Sequence, residues 1–376
     1  MNNRVFIILL LVLAAALGGW IYYTTTQAVS AEPIEEISTK WWTSAHADIT
    51  SESFVHWNED DPAEVPLTCA KCHSGRGFID YIGQDGSAEF VVDQPGAIES
   101  VVSCSVCHSD AAHALDVAKF PSGVEISGKG MNSLCMTCHS GMAAGNRVET
   151  VIAGVDADTV MPDSSLIGPH YKIAAATNFG GDAQGGYEYE GKTYVGAYAH
   201  AEGVQTCTEC HDSHSLRMNQ PYDAKNANLC SACHSNVTSF QDYKDIYYED
   251  GTDYDGDGTI EGLYHEIQGV REVLKAAITT YSTEVIGTTL GIGDNFPYAF
   301  IDTNSDGELS EEESAFPNAF KLFTPRLQKA AFNYMFVKYD GGNYVHNGKY
   351  VLQLMYDSIA DLAEVSSAST AGLTRP

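Results

Sequence analysis

The ten cysteines of this 376-residue chain fall into five copies of one pattern: Cys69-Ala-Lys-Cys72-His73, Cys104-Ser-Val-Cys107-His108, Cys135-Met-Thr-Cys138-His139, Cys207-Thr-Glu-Cys210-His211 and Cys230-Ser-Ala-Cys233-His234. Residue frequencies alone predict roughly 0.01 copies of C-x-x-C-H, the haem c attachment pattern. The chemistry explains the spacing. Two thiols three positions apart can each form a thioether to one vinyl of the same porphyrin, and the adjacent histidine then sits under the iron as proximal ligand. Zinc ribbons also use paired C-x-x-C knuckles, but five is an odd number and zinc does not require a histidine after every second cysteine. Local disulfides would likewise leave the five histidines unexplained. The spacing therefore predicts five haems c.

Thirteen histidines less the five proximal ones leave eight. Five vacant axial positions favour a ligand role for several of them. His214 follows His211 by three residues, so it points away from its own iron and can reach a neighbouring one. His200 lies seven residues before Cys207, and His170 opens an apolar run. His46 and His56 lie on an amphipathic segment leading to the first motif, and His346 precedes the C-terminal helix. These six are the distal candidates for five places, so either one is superfluous or one serves another subunit. His113 and His265 are taken as ordinary side chains. Methionine ligation would raise the potential, but Met136 lies inside a motif and suits its own distal side poorly.

Beyond residue 243 the cysteines stop and acidic loops appear between helical runs. Asp302, Asn304, Asp306, Glu308 and Glu313 fit the twelve-residue calcium loop, with Gly307 for the turn and Leu309 toward the core. Asp253, Asp255, Asp257 and Thr259 begin a second such loop. Tyr264 occupies its twelfth position, so Glu261 or Glu266 would have to substitute. One or two structural calcium ions are expected.

The elements that position these groups follow from composition and periodicity. Five haems within residues 69–234 leave too little chain for a separate apolar core, so the porphyrins must provide much of the buried surface. Short helices after each motif, with irregular wrapping between, are expected there. Apolar stripes at helical spacing run through Leu263, Ile267, Val270, Leu274, Ile278, Tyr281 and Val285, and through Tyr350, Val351, Leu354, Met355, Ile359 and Leu362. The tail beyond Ser366 should fray. The fold class is thus mainly α with much irregular structure: a haem-packed region over 32–245 and a helical calcium-binding region over 246–376.

Arg4 precedes an apolar run over 5–23, and Val29-Ser30-Ala31 supplies small residues for cleavage. Residues 1–31 are therefore a signal peptide or a retained membrane anchor, since the run nearly spans a bilayer. Either way the rest of the chain is exported, to the periplasm or the cell exterior. The formal charge of −30 argues against nucleic acid and anionic lipid as partners. Membrane contact is expected only through the N-terminal segment.

Three stretches resemble the multihaem cytochrome c superfamily: Ser44-Ala-His46, Cys210-His211-Asp-Ser-His214 and His346-Asn-Gly-Lys-Tyr350. That superfamily includes cytochrome c nitrite reductase, hydroxylamine oxidoreductase-like proteins and small carrier cytochromes. The resemblance covers roughly residues 40–245 and the last helix, and it implies that His46, His214 and His346 are distal ligands. The chain is also similar to cytochromes that polymerise into extracellular wires, in which a histidine of one subunit ligates a haem of the next. The calcium-loop insert departs from all of these.

The function expected is extracytoplasmic electron transfer along five mostly bis-histidine haems, between other redox proteins as donor and acceptor. A homo-oligomer or filament with haem ligation between subunits is the alternative. A nitrite- or hydroxylamine-type oxidoreductase would need an iron with an open position. No C-x-x-C-K variant marks one, and histidines exceed the distal demand, so an enzyme is not expected.

Overall fold

The largest apolar core is built on three long helices, Leu263–Tyr281, Pro325–Tyr339 and Asn343–Ala363. The computed structural model describes residues 33–201, 206–218, 231, 233–248 and 251–376. The N-terminal signal or anchor segment and Cys230 lie outside these. In the first long helix, Leu263, Ile267, Val270, Leu274, Ile278 and Tyr281 are all buried, and Val285 packs against the same core from the turn that follows. In the third, Tyr350, Val351, Leu354, Met355, Ile359 and Leu362 are buried. Recurrence at three and four residues places each set on one helix face. Thr324 caps the second helix, accepting a hydrogen bond from the Leu327 N–H, and Pro325 opens it at a position whose N–H needs no partner. That helix is buried almost all round, from Pro325 through Val337.

The third helix is kinked near its start. Asn347 leaves helical geometry there. Its side-chain oxygen accepts from the Tyr350 N–H at 3.2 Å, while its amide nitrogen donates to the Gly196 carbonyl at 3.0 Å. The side chain replaces the lost ladder bond and ties the helix to the chain that precedes the fourth motif.

The motif region is made of short helices and turns, with a small apolar cluster around Phe78, Tyr81, Ile82, Val106, Leu115 and Leu134. Among the described residues there are three two-stranded antiparallel sheets: Glu64–Val65 with Gly96–Ala97, Val117–Lys119 with Glu125–Ser127, and Leu290–Ile292 with Ala299–Ile301. The main core crosses the boundary expected near residue 245. It takes in Ala118, Phe120, Met136, Ile173 and Ala176 together with the three long helices.

Buried polar groups lock the helices to this region. Asn333, fully buried, accepts from the Tyr187 N–H at 2.7 Å and donates to the Tyr187 carbonyl and the Ser358 hydroxyl. Arg326 joins Asp158, Asp361 and Glu364. The expectation of a frayed tail is corrected. Ser367 is held by Glu284, Thr374 donates to the Tyr254 carbonyl, and Arg375 forms a forked pair with Asp357, whose side chain is fully buried. An uncompensated carboxylate at that depth is costly, so the tail is drawn in to neutralise it.

Asn333→Ala leaves both Tyr187 main-chain groups and Ser358 short of a partner. It should destabilise the protein by about 3 kcal/mol, read as a lower midpoint of thermal or denaturant unfolding at unchanged haem content.

Candidate functional site

Four motifs form their own one-turn helices. Leu67–His73, Cys104–Cys107, Asn132–Cys138 and Cys207–Cys210 each carry two cysteines three positions apart, hence on one face. The histidine N–H closes the turn onto the first cysteine's carbonyl, at 2.9 Å for His108, 3.0 Å for His139 and 2.8 Å for His211. The short helices expected after the motifs follow the first three, as Gly75–Tyr81, Asp110–Ala114 and Gly145–Ile152, and these motifs are themselves helical as well. The described cysteines are free thiols, so no C-x-x-C pair among them closes as a disulfide. In the fifth motif Cys233 and His234 lie in a turn.

Four of the five motif histidines face a second imidazole from elsewhere in the chain. A metal binds imidazole nitrogen at about 2.0 Å, so two imidazoles on opposite sides of one iron have nitrogens about 4 Å apart and ring centres about 6 Å apart. His73 and His170 lie with Nε2 atoms 3.5 Å apart and ring centres at 5.7 Å. Centre separations are 6.2 Å for His139 with His46, 6.3 Å for His108 with His214 and 6.2 Å for His234 with His200. His346 is near enough to His211 for its charge to act on that ring. Beside His170 opens a cleft of about 600 Å³ lined by Met142, Ile167 and Arg147. Apolar walls and a guanidinium suit a porphyrin face and its propionate. The residues present therefore fit haem c held between paired histidines.

The electrostatics agree with ligation. Burial, reinforced by the charge of the facing imidazole, pushes His46 down to about 4 and lowers His170, His200 and His211. These rings stay neutral at physiological pH, the form that binds a metal. The tautomer is fixed from behind. Nδ1 of His73 contacts the Ser53 carbonyl at 2.9 Å, that of His139 the Lys172 carbonyl at 2.7 Å, and that of His211 the Leu216 carbonyl at 3.3 Å. Such bonds leave Nε2 with its lone pair forward. Lys172 and Leu216 have φ of 57° and 58°, and His170 of 77°. Left-handed backbone in bulky residues is strained, and here it coincides with the carbonyls and ring that face the motifs.

The motifs are also neighbours. The thiols of Cys72 and Cys138 lie beside one another, as do those of Cys135 and Cys207. Asn132, on the third motif's helix, accepts from the Cys207 N–H at 3.0 Å. His214 belongs to the turn after the fourth motif yet faces His108 of the second. Asn178 donates to the His346 carbonyl and accepts from the Tyr198 N–H, and the Tyr198 ring lies 6.1 Å from His200.

Three histidines stand apart. His56 is not brought opposite a motif histidine. It is exposed, 2.7 Å from Glu52 one helical turn earlier, and edge-on to Trp57. Of the six distal candidates, His56 is thus the one not brought to a motif histidine. His265 pairs with Asp245 at 3.3 Å. His113 lies 5.9 Å from His108 but edge-on at 87° and exposed, whereas His214 is half-buried and inclined at only 23°.

The acidic loops close in different ways. Carboxylate oxygens of Asp253, Asp255 and Glu266 lie within 4.8 Å of one another. Glu266, not Tyr264 or Glu261, closes the loop. It accepts from the N–H groups of Tyr254, at 2.8 Å, and Glu261, at 2.9 Å. Burial, then repulsion from Glu266, Asp257 and Asp253, lifts Asp255 to about 6. Asp257 caps the Thr259 N–H at 2.6 Å. In the second loop Asp302 is buried, with Oδ2 on the Gly307 N–H and Oδ1 unpaired. Asn304, Asp306 and Glu308 form successive turn bonds, and Glu313 accepts from Thr303 and Ser310. Gly258 and Gly307 have φ of 93° and 85°, the left-handed turn required at the sixth position.

Comparison with known proteins agrees with this chemistry. The doubled CXXCH motif family matches residues 200–239, around the fourth and fifth motifs. The chain is 24% identical over 379 residues to the C-type polyheme cytochrome OmcB of Geobacter sulfurreducens, over 83% of this chain and 46% of that protein. It is 24% identical over 375 residues to the C-type polyheme cytochrome OmcC of the same species, over 83% of this chain and 44% of that one. The chain thus spans less than half the length of these curated relatives. No solved structure matches. The motifs and these similarities together support a multihaem c-type cytochrome.

Proposed function

We propose that this chain is an exported electron conduit. It would bind five haems c, each held by a motif histidine and one distal histidine: His73 with His170, His108 with His214, His139 with His46, His211 with His346 and His234 with His200. The observation that carries the reading is the facing of four of these pairs, all but His211 with His346, at the separation that trans ligation requires. Bound haem c supplies an iron that takes up and releases one electron without bond making or breaking.

The protein's part is positional. Cysteine pairs on one-turn helices fix each porphyrin edge, and carbonyls of Ser53, Lys172 and Leu216 aim the proximal rings. Contacts between thiols of the first, third and fourth motifs favour close approach of the corresponding porphyrins. Every distal place is filled from within the chain, so the reading needs no ligand from another subunit. Paired histidines leave no iron open, so nothing here favours substrate chemistry. Other redox proteins are the partners implied. No helix among the described residues is long and apolar enough to cross a membrane, and any anchor would be the N-terminal segment.

Calcium belongs to the same proposal as a structural ion. Asp253, Asp255 and Glu266 would hold one ion, and Asp302 with Asn304, Asp306, Glu308 and Glu313 a second. Crowded carboxylates and the unpaired buried oxygen of Asp302 support this, because a divalent cation relieves both.

EPR of the air-oxidised protein, with haem quantified on the same sample, should give five low-spin irons per chain and no high-spin one. One high-spin iron in the unsubstituted protein would sink the conduit and point to an open site. His214→Ala should turn one iron high-spin with all five haems still attached, whereas His113→Ala and His56→Ala should leave the spectrum unchanged. The reverse result for His113 would reassign the second pair.

Calcium should raise Tm of chelator-treated protein, since a ligand bound only by the folded state stabilises it. Glu266→Gln and Glu313→Gln should each weaken one site by roughly tenfold or more with haem content intact. If neither changes the calcium dependence of Tm, these loops are not the sites.

A further inference from the structure

His346 is backed differently from the motif histidines. His73, His139 and His211 turn Nδ1 toward neutral main-chain carbonyls. Nδ1 of His346 lies 2.9 and 2.8 Å from the two carboxylate oxygens of Asp340. Asp340 ends the Pro325–Tyr339 helix, where the helix dipole disfavours negative charge, and its side chain is only 4% exposed. The ion pair it makes among the described residues is with His346. The Gly342 N–H donates to one oxygen at 3.0 Å. A buried carboxylate at the wrong end of a helix is expensive, so its persistence behind one imidazole needs a reason.

We propose that Asp340 is a positioning residue that sets the potential of the fourth haem, making it the most negative of the five; this rests on His211 and His346 being an axial pair, as proposed above. The physical route has two parts. By drawing on the Nδ1 proton, the carboxylate gives His346 part of the character of an imidazolate, a stronger donor that favours ferric over ferrous iron. Its fixed charge in a poorly solvated place also opposes the electron added on reduction, with no bond made or broken. The same charge reaches His139 and His211, so the third haem should feel a weaker version.

The test is a spectropotentiometric titration of the full haem-loaded chain. Asp340→Asn should move the most negative midpoint positive, shift one other slightly, and leave three unchanged. Asp340→Glu should keep the low midpoint. If asparagine disturbs loading, Asp340→Gln compared with Asp340→Glu decides the matter, because the two side chains match in size and only the uncharged one should move the midpoint. Unchanged midpoints, or a shift confined to another haem, would overturn the proposal. The pair assignment is tested separately. If His346→Ala leaves five low-spin irons, the axial pairing is wrong; if it gives one high-spin iron while the Asp340 variants do nothing, only the potential-setting role fails.

Discussion

The structure depends on holding imidazoles in opposed pairs about 6 Å apart. Each ring must present Nε2 forward, and its other nitrogen must then be satisfied from behind. That second demand explains much of the irregular backbone. The interior of regular helix and sheet uses its carbonyls internally, so a carbonyl free to receive Nδ1–H must come from irregular chain or from the end of a helix. Lys172 and Leu216 provide it from irregular chain, and Ser53 from the four-residue helix Glu52–Val55. Two of these have left-handed φ, a strain that persists because the surrounding contacts over-determine it. The scarcity of long elements in this half is thus a consequence of the ligand geometry.

The C-terminal helices complete the same task from the other side. Tyr339 accepts from the Lys172 N–H at 3.0 Å, so the end of one long helix braces the carbonyl that aims His139. His346 lies in the first turn of the next helix, Asn343–Ala363, whose kink at Asn347 anchors it to Gly196, four residues before His200. Asn178 links the same turn to Tyr198. A rigid apolar core therefore sits directly behind residues facing three of the five motifs, where 1 Å of looseness would matter. The first acidic loop is closed by Glu266 on the first long helix, whose Leu263 packs against Gly348 beside the kink.

What was legible in the sequence followed from local spacing. The C-x-x-C-H pattern specifies its chemistry within five residues, and the stripes of the first and third long helices identify their buried faces. The Pro325–Tyr339 helix left no such stripe because it is buried on nearly every side, so its pattern has little amphipathic contrast. Distal ligands are set by contacts across tens to more than a hundred residues, and sequence context could only nominate them. His56 looked equivalent to His46, but Glu52, one turn earlier, offers it a local partner. Asp340 carried no signal at all: it stands six residues before His346, and only the turn through Gly341 and Gly342 brings the two together. Glu266 was one of two candidates to close its loop, and its choice depends on the helix phase after Leu263. The tail read as frayed because its composition is small and polar, while the buried Asp357 that recruits Arg375 lies on another element.

The third motif has a position that no reading along the chain would give it. Cys138 meets Cys72 of the first motif and Cys135 meets Cys207 of the fourth. His46, which faces its histidine, accepts at its carbonyl from Val102, two residues before the second motif. Three of the other four motifs therefore adjoin this one. Order along the chain would suggest a linear relay from first motif to fifth. The contacts instead make the third a junction, with the second adjoining both it and the fourth through His214. In such an arrangement electrons could enter or leave at more than one end, because tunnelling follows distance and not sequence. The strain at His170 and Lys172 then has a clear place in the design: those two residues face the first and third motifs at once, and fix the approach of that pair.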